Sequence, residues 1–118
     1  MPPTARTGGD LTKKKCRPCE RGAPSLGPKR VRRLLGQLRG WESTGREIAR
    51  TYKFDDHYQT IAFVNAVAWI SHSQNHHPDL EVSYNSCRVR YSTHAIGGLS
   101  ENDFICAAKV EALLQAGQ

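Results

Sequence analysis

His76-His77-Pro78-Asp79-Leu80-Glu81-Val82-Ser83-Tyr84-Asn85-Ser86-Cys87-Arg88-Val89-Arg90-Tyr91-Ser92-Thr93-His94 is the stretch from which the fold can be read. Leu80, Val82 and Tyr84 alternate with Glu81, Ser83 and Asn85, and Val89, Tyr91 and Thr93 alternate with Arg88, Arg90, Ser92 and His94. A period of two, apolar on one side and polar on the other, is the pattern of a strand with one buried face. Two such strands with Asn85-Ser86 as a tight turn make a hairpin, and a hairpin returns the end of its second strand to the start of its first. His94 is thereby expected beside His77 and Pro78, with three imidazoles at one mouth of a sheet.

Upstream, Tyr58 to about Gln74 reads as a long apolar helix, with Asp55 and Asp56 placed for its N-cap and first turn. Pro78 disfavours the helical basin for His77, so His76-His77 is expected to straddle the helix C-terminus and the loop after it. Trp41–Ser43 and Arg46–Phe54 read as a second antiparallel pair turning at Ser43-Thr44-Gly45. Val31, Leu34, Leu35 and Leu38 fall at i, i+3, i+4 and i+7, the stripe of a helix beginning at Pro28 and stopping at Gly40. After the Gly97-Gly98 loop, Ser100-Glu101-Asn102-Asp103 has the form of a helix start, and a last helix is expected to Gln115. Helices interleaved with two antiparallel pairs predict an α+β domain: one antiparallel sheet with helices on one face.

The 118 residues suffice for one such domain. Residues 28–118 are assigned to it and residues 1–27, rich in Pro, Gly, Thr, Lys and Arg, to a flexible basic leader. The net charge of +6 is unevenly placed: residues 1–39 hold eleven Lys/Arg against two acids, and residues 40–118 hold six against nine. The excess therefore belongs to a solvated front segment, and a nucleic-acid partner is not expected. A mean hydropathy of −0.58 and the lack of an 18-residue apolar run exclude a membrane helix. With no apolar signal core after Met1, a cytoplasmic protein with reduced Cys16, Cys19, Cys87 and Cys106 is expected.

Five histidines are present: His57, His72, His76, His77 and His94. Singly, each has an ordinary reading. His57 is an exposed first-turn residue, His76 a helix-end residue favoured by the dipole, His77 a loop residue and His94 a strand-end surface residue. Together they offer acid–base chemistry, because imidazole titrates near neutral pH and mutual repulsion keeps one ring of a cluster neutral. A rival reading makes His72, His76 and His94 a three-nitrogen zinc site, with Cys16-x-x-Cys19 as another half-site.

Asn75-His76-His77-Pro78, Tyr84, Ser92-Thr93-His94, Gly97-Gly98-Leu99-Ser100 and Asp103 together resemble the pterin-4a-carbinolamine dehydratase family. The resemblance is sharpest over residues 72–106. It implies a four-stranded antiparallel sheet with three helices on one face in the order α-β-β-α-β-β-α, assembled as a homodimer or homotetramer. It implies dehydration of a 4a-hydroxytetrahydropterin, left by aromatic amino-acid hydroxylases, to quinonoid dihydropterin and water, with no metal or organic cofactor. The family's active-site histidines correspond to His76, His77 and His94. We expect His76 and His94 to transfer protons and His77 to bind or orient the pterin.

His72, Asn75, Pro78, Thr93 and Asp103 are expected to bind substrate or support the site. Asp103 would pair with Ser100 in a capping box while its charge supports His94. Thr93 would hydrogen-bond the pterin or close a strand. His72 stands where family members often carry a carboxylate, which alters the tuning of His76, its neighbour one helical turn on. The fold also serves as a transcription-factor dimerisation partner, so the alternative is a non-catalytic binding or regulatory module.

Overall fold

A computed structural model describes the backbone of residues 9–115 and the side chains of residues 11–114. The elements in chain order are a single helical turn α1 (Gly9–Thr12), α2 (Pro28–Leu35), β1 (Glu42–Ser43), β2 (Ile48–Lys53), α3 (His57–Gln74), β3 (Asp79–Val82), β4 (Ser86–Tyr91), a 3₁₀ turn (His94–Ile96) and α4 (Glu101–Gln115). The strands form one antiparallel sheet in the order β1-β2-β4-β3. From α2 onward the order is the expected α-β-β-α-β-β-α, an α+β domain.

The hairpin that decides the fold forms in the register Leu80↔Val89 and Val82↔Cys87. Along β4, Cys87, Val89 and Tyr91 are fully buried while Ser86, Arg88 and Arg90 are partly exposed. β4 is central, paired to β2 on its other side through Ile48↔Tyr91 to Lys53↔Ser86. The turn falls earlier than expected. Ser83 and Ser86 close it, with Ser86 O accepting from Ser83 N at 2.9 Å, so Tyr84 is 66% exposed rather than on the buried face.

The helices close the core over the sheet. Phe63, Val67 and Ile70 of α3 and Phe104, Ile105, Ala107, Ala108 and Val110 of α4 pack with Ile48, Tyr52, Val89 and Tyr91. Asp56 caps α3 by accepting from Gln59 N at 2.8 Å. α2 is a turn shorter than its apolar stripe predicts, ending at Leu35. Beyond it, i→i+3 bonds from Gln37 N to Leu34 O and from Leu38 N to Leu35 O tighten the chain, and Leu38 is still buried.

The leader departs from expectation. Its first eight residues lie outside the described residues, but residues 11–27 pack onto the domain. Leu11 is 2% exposed in the core. Cys16 N donates to Gln74 Oε1, Leu26 N to Leu99 O, and Lys14 Nζ meets Glu101 Oε2 at 2.8 Å. Two isolated leucines and a few polar ties hold this segment, which composition alone reads as solvated.

Candidate active site

The first histidine is placed by how α3 ends. Asn75, just past the helix, is left-handed at φ 53°, a conformation in which asparagine is tolerated where most residues are strained. Asn75 N bonds to His72 O and His76 N to Ser71 O, the paired bonds of a Schellman stop. The backbone of His76 is thus tied to the last turn of the helix, and its ring lies over Tyr91 of β4 with centroids 5.8 Å apart and planes 8° from parallel.

The second contribution comes from the loop after β4. Thr93 N donates to Gly98 O at 2.8 Å, closing a small loop that presents His94. Gly97 has φ +66°, and a Cβ on Gly98 would lie 2.9 Å from the Cβ of Ser25, so both positions of the glycine pair restrict side chains.

The third contribution is the start of α4. Asp103 is fully buried. One carboxylate oxygen accepts from Thr93 Oγ1 at 2.8 Å and Ser100 N at 3.0 Å, and the other meets His76 Nε2 at 2.6 Å. Ser100 Oγ in turn accepts from Asn102 N at 3.2 Å, so Ser100 and Asp103 cap the start of α4 reciprocally, with the hydroxyl on the second N–H of the helix rather than the third of the usual capping box. The Asp103 charge is directed at His76, however, and not at His94. Burial pulls the His76 pKa down, but the hydrogen bond and charge of Asp103, aided by nearby Cys16, outweigh it, and the pKa is raised above the ordinary 6.5.

These elements surround a cleft of about 360 Å³ lined by Asn75, His76, His77, Ser92, Thr93, His94 and Ala95 from the domain, with Arg17, Pro18, Cys19 and Asn102. The three histidines expected to act together therefore share one cavity. His76 is the sheltered member, its side chain 12% exposed, whereas His77 and His94 are exposed at the rim. Nε2 of His76 is taken by Asp103, and Nδ1 has no protein hydrogen-bond partner among the described residues.

Thr93 reaches the cleft, but its hydroxyl proton goes to Asp103. Pro78 and His72 are not part of the lining. His72 is exposed on α3 with its ring 6.0 Å from that of Trp69. His57 also lies apart, stacked on Tyr84 with Nδ1 at 2.9 Å from Tyr84 O. Among the described residues no three His, Cys, Asp or Glu side chains are arranged to hold a metal ion, so the three-nitrogen zinc set is not assembled.

Of the lining residues that sequence reasoning missed, Arg17, Pro18 and Cys19 come from the leader and Asn102 from α4. The Asn102 side chain clamps Arg17, accepting from Arg17 N at 2.9 Å and donating to Arg17 O at 2.6 Å. That clamp seats Arg17, Pro18 and Cys19 as one wall of the cleft. Nothing in the local sequence signals it, because the two halves are 85 residues apart.

Comparison with known proteins agrees with this architecture. The family described as Pterin 4 alpha carbinolamine dehydratase matches residues 24–113. A Nitrosomonas eutropha protein assigned by name as a pterin-4-alpha-carbinolamine dehydratase is 60% identical over 106 residues, covering 89% of this chain and 94% of its own. A similarly assigned protein of Xanthomonas campestris pv. campestris is 55% identical over 104 residues, 86% of this chain and 88% of its own. Among solved structures, a transcriptional coactivator/pterin dehydratase from Brucella melitensis superposes with a TM-score of 0.72 at 31% identity, over 75% of this chain and 97% of that one. A pterin dehydratase-like protein identified as a RuBisCO assembly factor in the alpha-carboxysome shares the fold, with a TM-score of 0.52 at 22% identity over 62% of this chain and 84% of that one. On the family match and these identities, the chain belongs to the pterin-4α-carbinolamine dehydratase family.

Proposed function

We propose that this chain dehydrates 4a-hydroxytetrahydropterins to quinonoid dihydropterin and water, by proton transfer through His76 and His94 with His77 orienting the ring. The observation that carries this reading is the His76–Asp103 pair in a cleft also lined by His77 and His94. Asp103 fixes Nε2 of His76 and favours its protonated form, which leaves Nδ1 as the atom that can serve a bound molecule.

Losing water from a carbinolamine needs a proton on the departing hydroxyl and removal of one from the adjacent ring nitrogen. In the proposed step, His76 Nδ1–H protonates the 4a-hydroxyl and the C4a–O bond breaks as water leaves. His94 takes the N–H proton, and that bond's electron pair becomes the new C=N bond. The reaction needs no covalent intermediate and no metal or organic cofactor. Positioned acid–base groups of this kind typically contribute about 10²–10⁴-fold.

The reading extends to recycling of the pterin used by aromatic amino-acid hydroxylases and to a cytoplasmic setting. No helix among the described residues is long and apolar enough to cross a membrane. We assign the dehydratase-like domain to residues 28–118, with residues 1–27 as its leader and residues 11–27 docked on it. The exposed Tyr58, Ile61, Trp69 and Leu114 suit assembly as a homodimer or homotetramer.

The test is direct. Chemically prepared 4a-hydroxytetrahydropterin is supplied, and the quinonoid product is followed by absorbance. The expected result is a rate well above buffer, reduced about 10²-fold or more in His76→Ala and His94→Ala. A wild-type rate equal to buffer defeats the proposal. A second reading, a regulatory binding module, is favoured only by the coactivator description of the Brucella structure. A stable partner captured without dehydratase activity would select it.

A further inference from the structure

The described cysteines are free, yet two of them meet. Cys16 Sγ of the leader lies 3.4 Å from Cys106 Sγ of α4 and also points at Asn102 O at 3.6 Å. Cys106 is fully buried in the core, and Cys16 is partly exposed. Cys19, the other half of the Cys-x-x-Cys pair, is directed elsewhere: its sulfur accepts from Asn102 Nδ2 at 3.4 Å. The local spacing suggests a Cys16–Cys19 pair, whereas the fold pairs Cys16 with a residue 90 positions away.

We propose that Cys16 and Cys106 are an oxidisable dithiol that closes to a disulfide with hydrogen peroxide and fastens the Arg17–Cys19 wall of the cleft to α4. The sulfurs need to approach from 3.4 Å to a bond length of ~2.05 Å. Cys106 is fixed within a packed helix, so the movement falls on Cys16 in its loop. Cys16 is also the better nucleophile. A hydrogen bond from Cys106 holds its pKa below the usual thiol value against the opposing effect of burial, with His76 adding to the lowering. The same hydrogen bond, together with burial, holds Cys106 well above that value.

The chemistry balances with peroxide as the oxidant. The Cys16 thiolate attacks one peroxide oxygen, forming S–O and breaking O–O, and the departing hydroxide leaves as water after taking a proton. The Cys106 sulfur then attacks the resulting sulfenic acid, forming S–S and breaking S–O, and the Cys106 proton leaves with that oxygen as a second water. Two thiols are oxidised to one disulfide and one peroxide is reduced to two waters.

Peptide mapping tests this without relying on activity. The full chain is treated with hydrogen peroxide, freed of it, alkylated with iodoacetamide in denaturant so that the buried Cys87 and Cys106 are reached, and digested with trypsin under non-reducing conditions. Because Pro18 blocks cleavage after Arg17, Cys16 and Cys19 share the peptide 16–21, while Cys106 lies in 91–109 and Cys87 in 54–88. The expected product is 16–21 joined to 91–109, with two fewer alkylated thiols than the reduced protein, reversed by dithiothreitol. It should form equally in Cys19→Ser, which removes the competing pair and leaves the packed Cys106 untouched. Oxidation closed within peptide 16–21, a link to 54–88, sulfinic acid on Cys16 alone, or four thiols still open to alkylation would each overturn the proposal.

Discussion

Replacing Asp103 by Asn isolates the charge at the centre of the site while keeping its shape. The amide oxygen can take the place of the carboxylate oxygen that accepts from Thr93 Oγ1 and Ser100 N, so the capping box survives. The amide NH₂ then faces His76 Nε2, which must become an acceptor, with the ring proton on Nδ1. Both raising influences of Asp103 on His76 are weakened or lost, and burial, which lowers the pKa, is left to dominate. The His76 pKa is therefore expected to cross from above 6.5 to below it.

A charge-assisted hydrogen bond is worth about 1.5–3 kcal/mol, and the side chain of His76 is only 12% exposed, so little of this is screened. The sign of the stability effect follows from linkage. The wild-type His76 pKa is raised in the folded state, so its stabilisation is complete below about 6.5 and is lost as pH rises through the higher folded value. In the variant the folded pKa is depressed, and protonation below 6.5 works against folding. The stability difference should widen as pH falls from 8 to 5, by about 1.4 kcal/mol per unit of pKa difference. Histidine ring NMR titration reads the pKa, and urea unfolding at the two pH values reads the stability. An unchanged His76 pKa, or an equal loss at both pH values, would refute the assignment of Asp103 as the group that charges His76.

Asn75→Val should cost about 1–2 kcal/mol in denaturant unfolding, because a β-branched residue is strained at φ 53°, whereas Asn75→Gly should be tolerated. Tyr91→Phe should leave stability unchanged or raise it by up to ~1 kcal/mol, since the buried phenol oxygen makes no hydrogen bond of good geometry among the described residues. A clear loss of thermal midpoint would show that this hydroxyl contributes. Asn102→Ala removes both clamps on Arg17 and should lower stability by about 1–2 kcal/mol. Limited trypsin digestion followed by intact mass should then show earlier cleavage between Lys13 and Arg21.

Much of the fold was legible because its determinants are local. The alternation through Cys87, Val89 and Tyr91 sets the buried face of β4, and a one-residue slip would expose all three. Asp56 and Ser100 mark helix starts through their own side chains. Alternation puts the turn at Asn85-Ser86 because Tyr84 continues the apolar pattern, although the chain has already reversed at residues 83–86. The docked leader was not legible. Its ties run to Gln74, Leu99, Glu101 and Asn102, and no periodicity records contacts across such separations.

The candidate site was legible in kind because three of its parts are also chain-termination devices. Asn75 ends α3 and thereby turns His76 out of the helix; Gly97 and Gly98 close the loop that carries His94; Ser100 and Asp103 start α4 while the same carboxylate reaches His76. Each signal can be read as ordinary capping, and each reading is correct. What capping alone does not require is the second oxygen of Asp103. A capping box uses one oxygen on Ser100 N, and here the other is bonded to a ring on a different helix end, inside a core where an unpaired carboxylate would be costly. His72 makes the same point in reverse. It lies on the last turn of α3, four residues before His76, but the backbone leaves the helix at Asn75, so helical spacing no longer decides which face the ring of His76 occupies. Spacing along α3 pointed to His72 as the neighbour that tunes His76, and the helix stop hands that role to Asp103.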